Sequence, residues 1–429
     1  MHQMSGLTPE LPWEGLGEAR GVPLRSDEPP SAVRETGSPG NEQLLEAMLD
    51  RRNLEHALKR VEKNRGRPGI DGMTTEELRP YLHVHWKETG GIRRLGIPTV
   101  LDRLVQQALA QVLQPIFDPS FSEFSYAYRP GRSTHDAVRQ ALAYVQEGRR
   151  IVVEVDLANF FDRVNHDMLM GRLAKRIGDR RILKLIRRYL ESGLMANGVV
   201  SEREEGTPQG SPISPLLANV LLDDVDKKLE RNGQSFVRYA DDIKVYVRSR
   251  KVGARAMACL RKLLGKLRLP VNNAKSVVAS ASRRSLLGYS IWYHRGEARL
   301  RVAPASLRRM KDRVREITSR TRGRSIKQVV EKLTSYLRGW RNYFGLAQTN
   351  GIFKALDSWI RRRLRMLHLQ HWKTVATPYR KARSRGASQA LAWSIARHPR
   401  RRWRNASKRI HHLLPTSYFD RMGLPKLAR

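Results

Sequence analysis

The amino-acid sequence predicts an α+β fold with an antiparallel sheet, and two patterns carry this prediction. The β-branched run 151–157 is typical of a short buried strand, and the runs 236–240 and 243–247 are typical of the paired strands of a hairpin. Between them, residues 168–189 and 216–229 have the spacing of amphipathic helices. The order strand, helix, helix, hairpin favours an antiparallel sheet packed against helices.

Composition excludes several classes of protein. The chain has 429 residues, of which 40% are hydrophobic, so it is too apolar to be wholly disordered. Its one cysteine, Cys259, excludes a disulfide framework and a zinc site built from cysteines, and suits a reducing cytosol. No apolar run approaches the roughly 18 residues of a transmembrane helix. We therefore expect a cytoplasmic protein with no membrane partner.

The net charge is large and unevenly distributed. The chain carries 81 Lys+Arg and 41 Asp+Glu, a formal net charge of +40. Residues 295–429 contain 35 basic and 6 acidic groups, a net of +29, which leaves only +11 for residues 1–294. This asymmetry predicts a polyanionic partner, held mainly by the C-terminal third of the chain.

Breaker residues and periodicity suggest four regions. Residues 1–40 contain six Pro and six Gly without a hydrophobic period, so we interpret them as a disordered leader. Residues 41–294 hold the predicted sheet, together with one helical pattern that starts at about 42 and a second that runs from 101 to 116. Beyond 295 the strand signal fades. We expect basic amphipathic helices over 295–365, followed by a basic tail that binds nucleic acid over 366–429.

Three carboxylates stand beside the apolar strands. Asp156 lies at the end of the first strand, and Asp241 and Asp242 lie together at the predicted hairpin tip. Like charges so close together repel unless a cation neutralises them, and Mg²⁺ prefers such oxygen ligands. Carboxylates on adjacent strands can hold two metal ions about 3.5–4 Å apart for phosphoryl transfer. An isolated Asp-Asp pair is more often a simple turn, so the neighbouring motifs decide between the two interpretations.

Those neighbours occur in a collinear series from about 44 to 424. The YADD motif at 239–242 resembles the palm of a reverse transcriptase. More specifically, the chain resembles reverse transcriptase–maturases of bacterial group II introns, which implies a right-hand polymerase with fingers and palm at 41–294 and a helical, maturase-specific thumb at 295–365. The other matching blocks are GIDG at 69–72, GIPT at 96–99, DLANFFD at 156–162, GTPQGSP at 206–212, LLGY at 286–289 and LRGWRNYF at 337–344.

The resemblance also assigns roles to individual residues. Asp156, Asp241 and Asp242 match metal ligands, and the backbone of Leu157 matches a group near a metal. Phe161 matches the bulky residue beneath the incoming sugar, although a core aromatic is the alternative interpretation. The other nucleotide- or template-binding candidates are Gln209, Lys275, which could steady the hairpin or the primer end, and the triphosphate-binding cations Lys87 and Arg93.

The chain departs from the family in its fingers. About twenty residues that relatives have between the region of Leu78 and Gly90-Gly91 are missing, by comparison with the family's usual length. A hairpin that loses its partner strand is marginal, because a two-stranded ribbon alone has little stability. Polymerase activity is therefore a separate hypothesis from RNA binding.

Arginines dominate the candidates for RNA or DNA contact in the C-terminal third. A guanidinium suits this role because its planar fork matches phosphate oxygens and stacks on bases. In contrast, helical spacing makes Trp340, Tyr343 and Phe344 packing residues. The residues after 413 resemble the short tail of relatives without an endonuclease domain. The candidate contacts are Arg338, Arg341, Arg361, Arg362, Arg363, Arg401, Arg402 and Arg404.

Together these patterns predict an RNA-directed DNA polymerase and intron maturase, using two Mg²⁺ ions. Its expected partners are a group II intron RNA, an RNA template with a DNA primer, a DNA target and dNTPs, and it would support both RNA splicing and retrohoming. Two alternatives remain open at this point: an RNA-binding splicing factor with impaired polymerase, and a related reverse transcriptase repurposed for DNA repair or defence. The sequence does not specify the intron, the DNA target or the oligomeric state.

Overall fold

The structure, a computed structural model, describes residues 42–64, 73–85, 99–191, 194–196, 199–201, 205–207, 211–319, 323–371, 376–397, 410–411 and 414–428. The leader predicted over 1–40 and the shortened part of the fingers lie outside these residues. Within them the α+β class is confirmed, since helices and antiparallel strands alternate along the chain.

Helices make up most of the secondary structure in this part of the chain. They are α1 (Leu44–Leu49), α2 (Arg51–Asn64), α3 (Leu78–His85), α4 (Val100–Phe117), α5 (Thr134–Gln146), α6 (His166–Ala174), α7 (Arg180–Glu191), α8 (Ser214–Arg231), α9 (Arg250–Lys266), α10 (Pro304–Ile317), α11 (Ile326–Tyr343), α12 (Asn350–His371), α13 (Ala376–Arg383), α14 (Gln389–Ala396) and α15 (Thr416–Arg421). The strands are β1 (Ile151–Val155), β2 (Leu194–Ala196), β3 (Val199–Ser201), β4 (Ser235–Tyr239), β5 (Asp242–Val247), β6 (Val277–Ser280), β7 (Ser285–Leu286), β8 (Tyr289–His294) and β9 (Glu297–Val302).

Two predicted boundaries were wrong for the same reason. The helix predicted over 168–189 is two helices, α6 and α7, separated where Gly178-Asp179 interrupts the period. The helix that starts near 42 is likewise broken at Asp50, whose extended backbone (ψ 136°) ends α1. In both cases the apolar stripe continues across the break, so periodicity alone joined two elements that a turn separates.

The described residues form two compact units, one within 1–133 and 153–278 and the other within 134–152 and 279–429. The first contains the predicted hairpin, in which β4 and β5 pair antiparallel from Ser235↔Tyr246 to Tyr239↔Asp242. The strand order is β4-β5-β1-β6, so β5 lies directly beside β1. Asp156 follows β1 and Asp242 begins β5, so the carboxylates lie on neighbouring strands. Phe236, Val237, Ile243 and Val245 are completely buried and form part of the core beneath these ends.

The second unit contains a sheet that the sequence prediction missed. β7, β8 and β9 form an antiparallel meander, and β9 lies beyond residue 295, where helices alone were expected. The strand EARLRV alternates exposed and buried residues, but its charged face weakened the strand signal. The prediction that Trp340 and Phe344 are packing residues is confirmed, because both are buried and their rings lie 4.7 Å apart between centroids. Tyr343, predicted with them, is 39% exposed, although its ring lies 4.8 Å from that of Phe344.

Candidate active site and nucleic-acid interface

The tip of the β4–β5 hairpin places two carboxylates next to each other. Tyr239 pairs with Asp242, so the connecting loop is Ala240-Asp241, and Asp242 is already the first residue of β5. Ala240 has φ +58°, a left-handed conformation that costs a residue with a Cβ roughly 1–2 kcal/mol. Such conformations persist where the surroundings determine them, and they are common at functional sites. The structure thus presents Asp241 on a tight and strained turn.

Asp156 follows β1 and is held through its backbone. Its N–H donates to Ser276 Oγ at 3.1 Å, and its carbonyl accepts from the Asn272 N–H at 2.9 Å. These bonds fasten the 272–276 turn to the end of β1 and bring Lys275 Nζ to 3.8 Å from Asp156 Oδ2. The Asp156 side chain is 42% exposed and that of Lys275 is 70% exposed, so this ion pair is loose and open to solvent.

The three carboxylates influence one another electrostatically. The pKa of Asp242 is raised to about 6, first by burial and then by the charges of Glu154, Asp241 and Asp156, while Lys244 opposes the shift. Lys244 is buried in β5, where its Nζ lies 2.8 Å from Glu154 and 3.7 Å from Asp242. The sequence analysis missed Lys244, and its signal is a lysine inside an otherwise apolar strand. One buried cation therefore only partly compensates a cluster of acidic groups.

The donor set suits a divalent metal, although it is not arranged around one. Among the described residues, no group of three or more His, Cys, Asp or Glu is placed to hold an ion. The carboxylates of Asp156 and Asp242 instead face lysine ammonium groups at 3.8 and 3.7 Å, longer than a hydrogen bond. Oxygen ligands whose mutual repulsion is only partly neutralised are the kind that Mg²⁺ binds. The residues fit the metal chemically.

Leu157 and Phe161 continue this strand end. Leu157 forms an isolated antiparallel bridge with Val271, whose hydrogen bonds use the Asp156 carbonyl and the Ala158 N–H and leave the Leu157 carbonyl unused by the bridge. Phe161 is half-buried, and its ring packs edge-on against buried Phe160 at 5.2 Å between centroids. Phe161 is therefore partly accessible, whereas Phe160 supplies the core contact.

The segment 205–207 is fixed against the same turn. The Gly206 N–H donates to Val164 O at 2.8 Å, and the Thr207 N–H donates to Phe161 O at 2.6 Å. Gly206 has φ +98°, and a Cβ at this position would lie 2.9 Å from both Asp162 Cα and Phe161 O. Only glycine fits so close an approach of two backbones. This contact sets the starting point of the GTPQGSP loop, which carries Gln209.

Two further features near the turn escaped the sequence analysis. Tyr128 is 50% exposed with φ +61°, and its pKa is raised first by burial and then by the charge of Asp241. Arg238 is completely buried in β4, and its guanidinium donates to both carboxylate oxygens of buried Asp226 at 2.6–2.8 Å. Its Nη1 also donates to Asn219 Oδ1 at 2.8 Å and to the Ala240 carbonyl at 3.1 Å.

Several predicted contact residues lie outside the described part of the chain. They are Lys87, Arg93, Gln209, Arg401, Arg402 and Arg404.

The arginines of α12 divide into different environments. Arg361 is 4% exposed, and it pairs with Asp420 at 2.8 Å and Asp357 at 3.3 Å. These ion pairs join α12 to α15 and compete with the predicted contact of Arg361 with nucleic acid, which stays a prediction. Arg363 is half-buried, with its Nε donating to Thr318 Oγ1 at 2.7 Å. Arg362 is also half-buried, and contact of either residue with nucleic acid stays a prediction.

The arginines of α11 lie on the solvent side of that helix. Arg338 is exposed and Arg341 is half-buried, while Leu337 and Trp340 beside them face the core. Such a face suits contact with a phosphate backbone. Within the described ranges, no helix is both long and apolar enough to span a membrane.

Comparison with protein families identifies two matches in order along the chain. The family described as reverse transcriptase (RNA-dependent DNA polymerase) matches residues 85–291, which include Asp156, Asp241 and Asp242. The family described as group II intron, maturase-specific domain matches residues 307–386, from α10 to the residues after α13.

Individual relatives agree with these matches. The chain is 33% identical over 231 residues to Protein YkfC of Escherichia coli strain K12, covering 45% of this chain and 61% of that protein. It is 36% identical over 146 residues to the group II intron-encoded protein LtrA of Lactococcus lactis subsp. cremoris, covering 34% of this chain and 24% of LtrA. The chain thus matches less than two thirds of the length of these relatives. Among solved structures, a chain of a Cas6-RT-Cas1–Cas2 complex is similar at 26% identity and a TM-score of 0.34, covering 52% of this chain and 41% of that one.

Proposed function

The chain belongs to the reverse transcriptases and carries a group II intron maturase-specific domain after the polymerase domain, and from this premise we propose that it is an RNA-directed DNA polymerase that also acts as an intron maturase. The right-hand polymerase fold predicted from the sequence agrees with this membership. The observation that carries the proposal is the acidic cluster in which Asp156, Asp241 and Asp242 meet at the ends of β1 and β5.

The proposed reaction is the addition of a deoxynucleotide to a primer. The primer 3′-oxygen attacks the α-phosphorus of a dNTP, and the bond to pyrophosphate breaks. Asp156, Asp241, Asp242 and the Leu157 carbonyl would hold two divalent ions. When bound, these ions supply charge stabilisation to the attacking and leaving oxygens. The side chains orient the reactants: Phe161 would lie beneath the incoming sugar, and the loop fixed at Gly206 would carry Gln209 towards the template.

The second proposed activity is RNA binding through the maturase-specific region. Its partners would be a group II intron RNA, an RNA template with a DNA primer, and a DNA target. The exposed basic face of α11, with Arg338 and Arg341, supports contact with phosphates. In this role the protein stabilises the folded RNA and performs no side-chain chemistry on it. LtrA, which is described as a group II intron-encoded protein, is a relative that supports the assignment.

The test of the enzymatic proposal is primer extension on an RNA template with Mg²⁺. We expect wild type to extend the primer and Asp241→Ala to lose roughly a thousandfold or more of the rate, because a metal ligand is removed. RNA affinity should persist in Asp241→Ala, since the phosphate contacts lie elsewhere. Asp224→Ala is the matched control, because Asp224 is a 60% exposed aspartate of the same unit that pairs with Arg172 on the surface.

Two outcomes would contradict the proposal. A folded wild type that binds RNA but does not extend primers on any template would overturn the polymerase assignment and leave RNA binding alone. A wild type that extends primers but neither binds a group II intron RNA tightly nor accelerates its splicing would overturn the maturase assignment.

A further inference from the structure

A buried charge network lies directly behind the catalytic turn. Arg238 and Asp226 each have no exposed side-chain surface, and the guanidinium binds both oxygens of the carboxylate. Isolating this pair from water costs several kcal/mol per ion unless the geometry and the remaining hydrogen bonds are nearly complete. A hydrophobic pair of the same volume would stabilise the core as well or better. The position of the network must therefore be explained by something other than stability.

The network joins three elements of the first unit. From α8 come Asp226 and Asn219, and the Asn219 amide also donates to the Ala127 carbonyl at 3.0 Å. From β4 comes Arg238, whose backbone N–H donates to the Phe124 carbonyl at 2.9 Å and whose carbonyl accepts from the Tyr126 N–H at 3.0 Å. The third element is thus the 124–127 segment, which leads directly into exposed Tyr128. The guanidinium binds α8 directly, whereas the 124–127 segment is joined through the Arg238 backbone and the Asn219 amide.

The same guanidinium also reaches the strained residue of the turn. Arg238 Nη1 donates to the carbonyl of Ala240, whose φ of +58° is unfavourable for a residue with a Cβ. The hydrogen bond to that carbonyl opposes rotation of the Ala240–Asp241 peptide group. Asp241, whose side chain carries the carboxylate, is attached at the other end of this peptide group. Displacing a reacting group by 1 Å can cost a hundredfold in rate, so a fixed turn has direct value for catalysis.

We propose that Arg238, oriented by Asp226 and Asn219, is a positioning residue that holds the Ala240-Asp241 turn in its strained conformation and so places the Asp241 carboxylate for metal binding. This inference rests on the proposed polymerase function for its catalytic consequence, but it also predicts metal binding without substrate. Arg238 itself does not contact the reactants. It acts through the Ala240 carbonyl, and the relevant interaction is geometric because Lys, with the same charge, cannot reproduce the fork.

The decisive experiment uses Arg238→Lys together with Ala240→Gly in the full chain. We expect Arg238→Lys to lower kcat about tenfold to a hundredfold with the KM for primer–template unchanged, and to raise the Mg²⁺ concentration at half-maximal rate. Adding Ala240→Gly should restore much of both values, because glycine adopts a positive φ without the penalty. Ala240→Gly alone is measured as the reference for the double variant. Thermal unfolding is measured in parallel, so that every rate refers to folded protein.

A matched control separates positioning from general loss of stability. Arg129 is a 5% exposed arginine of the same unit that pairs with Asp118 at 2.8 Å and binds the Ser125 carbonyl at 3.0 Å, without contacting residues 240–242. Arg129→Lys should lower the melting temperature and leave the Mg²⁺ dependence unchanged. If Arg238→Lys loses stability but keeps the wild-type kcat and Mg²⁺ dependence, or if Ala240→Gly restores stability without restoring them, the network is only structural.

Binding of Mn²⁺ to the free protein tests the positioning role of Arg238 independently of polymerase activity. Titration followed by electron paramagnetic resonance should show weaker Mn²⁺ binding in Arg238→Lys than in wild type, and recovery in the double variant. A wild type that does not extend primers would overturn the proposed function, while this comparison would still decide the positioning role. Equal Mn²⁺ affinity in wild type and Arg238→Lys would overturn the inference.

Discussion

Two carboxylates of the same unit show what folding does with charge in different places. Asp179, at the start of α7, is 2% exposed and accepts hydrogen bonds from the Leu45 N–H and from Arg181, which lower its pKa to about 2. Asp242, at the start of β5, is 38% exposed, and its pKa is raised to about 6 by burial and neighbouring acidic groups. One carboxylate is fully satisfied by the fold, whereas the other faces the Lys244 ammonium at 3.7 Å, longer than a hydrogen bond.

The difference indicates where function lies. A paired carboxylate stabilises the native state, because its charged form has better partners there than in the unfolded chain. A carboxylate that lies close to other carboxylates destabilises the native state, and such destabilisation is common at catalytic sites. The same logic separates the arginines: Arg361 is paired twice inside the second unit, whereas Arg338 is exposed to solvent.

The largest effect should come from replacing Asp242. Asp242→Asn should reduce primer extension roughly a thousandfold, because a neutral amide is a much poorer metal ligand than a carboxylate. Its free energy of unfolding should change by less than about 1 kcal/mol, since the substitution also removes repulsion. Steady-state extension and urea unfolding of the same preparation measure the two quantities. A large loss of stability in this variant would break the comparison.

Arg361→Met tests the buried pair of the second unit. We expect it to lower the free energy of unfolding by roughly 3 kcal/mol, because Asp357 and Asp420 lose a buried partner. Urea unfolding measures this change, and Arg362→Met is the control, as Arg362 is half-buried on the same helix. In the folded protein, the salt dependence of RNA binding should stay that of wild type. A weaker salt dependence would identify Arg361 as a phosphate contact.

Asp179 should give the protein an acid-sensitive contribution to stability. Its pKa is lowered on folding, so its contribution to stability is fully present well above the ordinary aspartate pKa of 3.8 and is lost as the pH falls towards 2. The depression corresponds to roughly 2 kcal/mol. Asp179→Asn should therefore be less stable than wild type at pH 7, and the difference should vanish near pH 2, in urea unfolding measured across this range. Extension by the folded variant should be unchanged, and a pH-independent difference would contradict the assignment.

The smallest effect should come from a single exposed arginine. Arg338→Ala should weaken RNA binding modestly and reduce the slope of log affinity against log salt by about 1, as expected for one lost phosphate contact. Binding measured at several salt concentrations gives this slope. An unchanged slope would mean that the exposed face of α11 is merely solvated.

The sequence predicted the parts of the site that depend on local pattern. β1, β4 and β5 follow from β-branched runs, and their ends place Asp156 and Asp242 next to each other. Partners distant along the chain were not predictable in this way. Nothing in the FVRYADD run indicates that Arg238 is paired with a residue 12 positions earlier and another 19 positions earlier. For the same reason, Arg361 looked like one of three equal arginines until packing separated it from the others.

The contact at Gly206 has a consequence for engineering. Since the Gly206 backbone lies against Asp162 and Phe161, segments about 40 positions apart in the chain are held together and move as one unit. A library that varies position 206 would disturb Phe161 and the loop that follows Gly206 at the same time, and we expect it to yield mostly inactive clones. Substitutions from position 208 onwards leave the contact of Gly206 with Phe161 and Asp162 intact. Attempts to change which nucleotides the protein accepts should therefore begin downstream of this glycine.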